Sequence, residues 1–94
     1  MIEFEWNEDK GAANAIKHGV SFADASKVFN DVFAVHVVDR SMDYGEERFI
    51  AIGLVGGIVL TVVYLERHDK IRIISARKAT RHEQRAYDTE RGTW

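Results

Sequence analysis

Residues 48–76 read RFIAIGLVGGIVLTVVYLERHDKIRIISA, and this stretch decides the fold. Its β-branched and aromatic residues predict three strands, over 48–55, 58–67 and 70–76. Gly56-Gly57 supplies the positive φ that a two-residue hairpin demands, and His68-Asp69 is a weaker turn of the same length. A three-stranded meander is the expected centre of the molecule. With two residues in each turn, cross-strand partners share a face, so Arg48, Leu65 and Arg72 point the same way and two arginines flank one leucine.

Working outward, 33–38 predicts a further strand, and Ile2, Phe4 and Trp6 alternate with Glu3 and Glu5 as a half-buried strand over 2–6. Asn7 is a favoured N-cap, Glu8 and Asp9 suit a helix N-terminus, and Gly19 suits its end, which predicts a helix over 8–18. Ser21 with Asp24 resembles a capping box, and Phe22, Ala25, Val28 and Phe29 fall on one face of a helix over 22–29. Thr80 with Glu83 is a second capping box, opening a helix through Ala86 and Tyr87 that frays toward Arg91-Gly92. The order is β-α-α-β-β-β-β-α, an α+β fold: a twisted antiparallel sheet packed by two N-terminal helices and a C-terminal helix. Phe22, Ala25, Val28 and Phe29 need an apolar surface, so the first two helices are expected to cover one side of the sheet. The longest irregular segment, 39–46, reads as a loop.

Ninety-four residues, 46% hydrophobic and 30% charged, predict one domain over 1–94 and argue against disorder. There is no signal-like start and no apolar run of the ~20 residues a membrane helix needs, so a cytoplasmic protein is expected. The absence of cysteine excludes a disulfide framework and a thiol nucleophile. Net charge is −2, yet residues 1–47 carry −6 and residues 48–94 carry +4. From Arg67 to Arg85 seven cations face only Asp69 and Glu83, which marks a candidate anion or nucleic-acid surface.

Other chemistries find little support. His82-Glu83 lacks the second histidine of a zincin, whose place is taken by Ala86, and the four histidines show no metal-ligand spacing. Neither metal nor cofactor is expected. Gly53, Gly56 and Gly57 precede no helix and read as turn chemistry, and no serine sits in a nucleophile elbow. Glu83 reads first as a helix cap and Tyr87 as a packed aromatic; Lys78, Arg81 and Arg85 form a basic helical stripe. Arg72 interrupts an apolar run and Arg77 sits at a strand end before a helix, where guanidinium groups can grip a phosphate.

KHGVSF at 17–22, GEER at 45–48, Ile52-Gly53 and above all IRIISARKA at 71–79 resemble the BrnT family of type II toxins, a likeness that runs from Phe4 to Tyr87. The resemblance implies a RelE-like fold and a ribonuclease that halts translation by cutting RNA. It also implies a BrnA-like ribbon-helix-helix antitoxin, held in a heterotetramer, through which alone operator DNA is contacted. The family pattern carries over onto Lys17, His18, Glu47, Arg48, Arg72, Arg77, Arg81, Glu83 and Tyr87. Metal-free cleavage needs a base for the 2′-hydroxyl, an acid for the leaving oxygen and cations for the phosphorane-like charge. Arg72 and Arg77 are expected as the electrostatic clamp, and His18 or Glu47 as the proton-transfer group. Lys17, Arg48 and Arg81 are expected to bind the substrate, with Glu83 and Tyr87 structural or undecided. Two other classes stay open: a non-catalytic co-repressor module, and a toxin of the same fold acting on gyrase.

Overall fold

A computed structural model describes residues 2–40, 43 and 45–92. Strand β1 (Glu3–Glu5) leads through helix α1 (Glu8–His18) and helix α2 (Phe22–Ser26) to a 3-10 turn (Lys27–Asn30). Strands β2 (Val35–Asp39), β3 (Arg48–Val55), β4 (Ile58–Arg67) and β5 (Lys70–Lys78) follow, and helix α3 (Arg81–Arg91) comes last. The fold is mixed α+β, with a five-stranded sheet in the order β1-β5-β4-β3-β2. Residues 41, 42 and 44 of the expected loop lie outside the described residues.

Both hairpins close on two residues. Val55 pairs with Ile58 around Gly56-Gly57, and Arg67 pairs with Lys70 around His68-Asp69. All four turn residues have positive φ, between 51° and 84°, as a type I′ turn requires and as a right-handed strand twist favours.

Three expectations need correction. The sheet is not wholly antiparallel, because β1 runs parallel to β5, with Glu5 opposite Arg72. Alternation reports which residues are buried, not the direction of the neighbour. The second helix is α-helical only to Ser26 and tightens into the 3-10 turn, whose Val28 is fully buried. That tightening seats Val28 against Gly53, where an added Cβ would come within 2.8 Å of the Val28 Cγ1 and 3.3 Å of its carbonyl oxygen. Gly53 is therefore a close-approach site inside β3 and not turn chemistry.

The sheet buries both faces, unequally. One face holds Ala51, Leu60, Val62, Tyr64, Ile73 and Ala76 against Val20, Phe22, Ala25 and Val28 of the N-terminal helical segment. Phe22 is 3% exposed, so α2 turns that side to the sheet as its spacing predicted. Asn14 of α1 is buried as well: its amide donates to the Val20 and Ala76 carbonyls at 2.9 and 2.8 Å and accepts from the Ala76 N–H at 3.2 Å. It clips α1 to β5 two residues past an irregularity in that strand. The alternate residues Ile50, Ile52, Leu54 and Val59 belong to a second cluster built around Tyr87 of α3, which places α3 on the opposite face. A hydrogen bond from the Tyr87 hydroxyl to Asp31 at 2.5 Å holds α3 down, and Asp31 also accepts from the backbone N–H groups of Leu54 and Phe33 at 2.8 and 2.9 Å.

Candidate active site

The face that α3 covers has two halves. Near the Gly56-Gly57 end, α3 and Tyr87 lie over Ile52, Leu54 and Val59. Toward the other end, the sheet presents a charged row built from the register of all five strands. Glu5 stands opposite Arg72, Arg72 opposite Leu65, and Arg48 opposite Asp39. The β3–β4 register that pairs Phe49 with Tyr64 brings Arg48 next to Leu65. The row thus reads Glu5, Arg72, Leu65, Arg48, Asp39, with the two arginines two strand spacings apart, roughly 10 Å between backbones. Leu65 is 5% exposed, and it stands between two arginines whose aliphatic stems can lie along it.

Arg72 donates to Glu5 at 2.7 Å, with the two side chains 28% and 30% exposed. That hydrogen bond holds the Glu5 carboxyl below its usual range, helped by the charges of Arg72, Lys70 and Arg67 against the desolvation that opposes it. Arg48 lies 3.6 Å from Glu46. A cleft at the tip of the β4–β5 hairpin, lined by Ile2, Glu66, Arg67, His68, Asp69 and Lys70 among others, mixes two cations with two carboxylates.

Arg77 is built differently. Residues 72 and 77 are five apart and would face opposite ways in a regular strand. A bulge beside Val63 and Tyr64 shifts the register of β5 by one, so that Thr61, on the face of α3, stands opposite Arg77. The sequence contains no turn residue at Ile73-Ile74 that would signal it. Once there, Arg77 is held by both oxygens of Glu83 at 2.7 and 3.0 Å. Glu83 also accepts from the Thr61 hydroxyl at 3.0 Å and from the Thr80 N–H at 2.8 Å, completing the predicted capping box. The Arg77 guanidinium, ahead of the Thr80 N–H and the Thr61 hydroxyl, brings the Glu83 carboxyl down to about 2 against the cost of burial.

The expected site residues are therefore not gathered in one place. Arg72 and Arg48 share the open row, and Glu47 adjoins it, exposed, one residue before β3. Arg77 shares the face but is roughly 13 Å along the strand from Arg72 and is committed to Glu83, so the two do not form one clamp. Lys17 and His18 close α1 on the other side of the sheet, where Gly19 lines a groove with Val55 and Ile58 at the far end of β3. His18 is thus remote from the row, because the helix that carries it packs on the opposite face. Arg81 is exposed in the first turn of α3. Tyr87 is 1% exposed, and burial followed by the Asp31 carboxylate pushes its hydroxyl up to about 12, so it is a packed anchor as its spacing suggested. Nothing local marks Glu5 or Asp31: Glu5 alternates with Glu3 as the polar side of a strand, and Asp31 is a lone carboxylate between Asn30 and Val32. Among the described residues, no three His, Asp or Glu side chains converge as a metal-binding group, and no helix is long and apolar enough to cross a membrane.

The family model described as ribonuclease toxin, BrnT, of type II toxin-antitoxin system matches residues 6–83. No curated protein matches the chain.

Proposed function

The chain belongs to the BrnT family of type II toxin-antitoxin ribonuclease toxins, and from that premise we propose that residues 1–94 form a single toxin domain that cuts RNA at the charged row, by attack of the 2′-hydroxyl on the adjacent phosphate without a metal ion. The observation that carries this reading is the pair of half-buried guanidinium groups, Arg72 and Arg48, held on either side of Leu65 on one face of the sheet. Two such groups stabilise the negative charge that develops on phosphorus, and fixed donors do so without reorganising during the reaction. Arg67 and Lys70 continue the positive surface along the strand backbone of the RNA.

Within this reading the fold is RelE-like, the reaction takes place in the cytoplasm and halts translation, and the partner is a BrnA-like ribbon-helix-helix antitoxin in a heterotetramer. That antitoxin neutralises by covering the row and the basic first turn of α3, and it brings the complex to operator DNA so that the pair regulates its own transcription. Glu47, adjacent to Arg48, and Arg81 contact RNA outside the row, and Arg77 with Glu83 supports the site from beneath α3.

The test is incubation of the purified chain with single-stranded RNA in excess chelator. Fragments ending in 2′,3′-cyclic or 3′-phosphate are expected, and they disappear with Arg72→Ala. Intact RNA, or cleavage that requires added divalent metal, overturns the proposal.

A further inference from the structure

The ribonuclease reading leaves the group that takes the 2′-hydroxyl proton unassigned, and the inference drawn here rests on that reading. His18 is on the wrong side of the sheet, and the Glu83 carboxylate already accepts four hydrogen bonds, two from Arg77 and one each from Thr61 and Thr80. The geometry points to Glu5 as the general base of RNA cleavage, at the outer end of the charged row beside Arg72.

Three observations support it. Glu5 is in direct contact with the arginine assigned to the phosphate, 2.7 Å from its Nη1, so a phosphate bound by the remaining guanidinium donors sits within reach of the carboxylate. Only Oε2 of Glu5 is used in that contact; Oε1 accepts no hydrogen bond from the described residues and, on a side chain 30% exposed, is free to accept one from a ribose hydroxyl. The residue is held in place by the backbone pairing of β1 with β5, Glu5 against Arg72 and Glu3 against Lys70, so its position is part of the sheet and not of a loop. The charged groups that face Glu5 are Arg72 and Lys70 of β5 and Arg67 of β4. All are cations, which keep the carboxylate ionised at neutral pH.

The step balances with solvent alone. The 2′-hydroxyl gives its proton to Oε1 of Glu5 as its oxygen bonds to phosphorus. The bond from phosphorus to the 5′-oxygen breaks, that oxygen leaves with a proton from water, and the carboxylic acid returns its proton to the hydroxide so formed. The products are a 2′,3′-cyclic phosphate and a 5′-hydroxyl.

The experiment compares the purified wild type with Glu5→Gln, Glu5→Asp and Glu3→Gln on one single-stranded RNA oligonucleotide, recording kcat, RNA affinity, melting temperature and the pH profile. Glu5→Gln is expected to bind the RNA as tightly as the wild type or more so, to lose about 100- to 10,000-fold in kcat, and to lose the acidic limb of the profile. Glu3→Gln, on an exposed side chain outside the row, is expected to keep most of the activity. Should Glu5→Gln not fold, Glu5→Asp keeps the ion pair while withdrawing the carboxylate, and a fall in kcat at unchanged affinity is the supporting result. A Glu5→Gln chain that folds and cleaves within threefold of the wild type, or a Glu3→Gln chain that loses as much activity as Glu5→Gln, overturns the assignment while leaving the ribonuclease reading intact. A wild type that leaves the RNA uncut overturns both.

Discussion

Two arginine–glutamate pairs on the same sheet face show how one chemistry is used in two ways. Arg77 and Glu83 meet through two hydrogen bonds, and Glu83 takes two more from Thr61 and the Thr80 backbone, with its side chain 17% exposed. Arg72 and Glu5 meet through one, on the uncovered half, with donors and an acceptor to spare. The first pair is engaged by four hydrogen bonds to one carboxylate and ties strand β5 to the start of α3. The second is an incomplete arrangement that a phosphate and a hydroxyl can complete. The number of hydrogen bonds already committed to each carboxylate, and not the presence of charge, separates scaffold from site here.

The largest expected effect comes from breaking the open pair. Arg72→Ala should reduce RNA cleavage by about 100- to 1000-fold, the usual cost of one donor to a developing oxyanion. It should relieve growth arrest in cells that express the chain without its antitoxin, while the melting temperature moves by only a few degrees because the pair is partly solvent-exposed. Activity that survives in a folded Arg72→Ala protein moves the site elsewhere.

The closed pair should respond in the opposite way. Glu83→Gln is expected to cost about 2 kcal/mol of stability at neutral pH, less than the shift of its carboxyl to about 2 would give at face value, because Arg77 is 40% exposed and water screens part of the attraction. For a chain of this size that is a fall of about 8 to 16 °C in melting temperature. A carboxyl whose pKa is lowered by folding contributes its full stability above its unfolded value of 4.5 and loses it as pH falls toward about 2. The wild type should therefore lose this advantage between those values, and the two proteins should converge there. Melting curves recorded at several pH values check this; a constant gap down to pH 2 means that packing, not the ion pair, holds the junction.

The difference between the two pairs also marks how far sequence carried. Both β-hairpins, the Thr80 to Glu83 capping box, the buried Tyr87 and the row of Arg48, Leu65 and Arg72 were legible because each follows from local spacing. The parallel pairing of β1 was not, since Phe4 and Trp6 alternate identically whichever way the neighbouring strand runs. Without that pairing nothing joins Glu5 to Arg72, 67 positions away. The bulge in β5 was equally silent, and it decides that Arg77 meets Glu83. Asn14 read as one more helix former among alanines because its partners, the Ala76 backbone groups, are 62 residues distant. Long-range contacts decided what each charged residue does, and spacing alone decided only where it could stand.

A smaller effect is expected where α3 is pinned. Tyr87→Phe removes the hydroxyl from Asp31, which keeps its two backbone donors, Leu54 and Phe33. A hydrogen bond to a charged acceptor is worth about 1.5 to 3 kcal/mol, and the remaining donors place the loss at the lower end, about 1.5 kcal/mol. Cleavage by the folded variant should be unchanged, since Tyr87 belongs to the covered half. A drop in kcat without a drop in stability would mean that α3 moves during catalysis.

The smallest effect is also the sharpest control on the open half. Glu3 and Lys70 lie one pleat from Glu5 and Arg72 on the same two strands, but their charges are 3.8 Å apart and 67% and 45% exposed. An exposed pair of that kind contributes ~0.5 kcal/mol or less, and it weakens further as salt screens it. Glu3→Gln should therefore shift the melting temperature by no more than about 3 °C and leave cleavage within twofold of the wild type. The comparison with Glu5→Gln then separates two explanations of any lost activity. If Glu5 matters because its carboxylate receives a proton, only its own replacement is damaging. If β1 matters because its charges fasten an edge strand of three residues to β5, loosening either pair should reduce cleavage, and adding salt to the wild type should reproduce the loss. Equal losses in Glu3→Gln and Glu5→Gln, both restored at low ionic strength, would place the open pair beside Arg77 and Glu83 as scaffold and return the search for the base to Glu47.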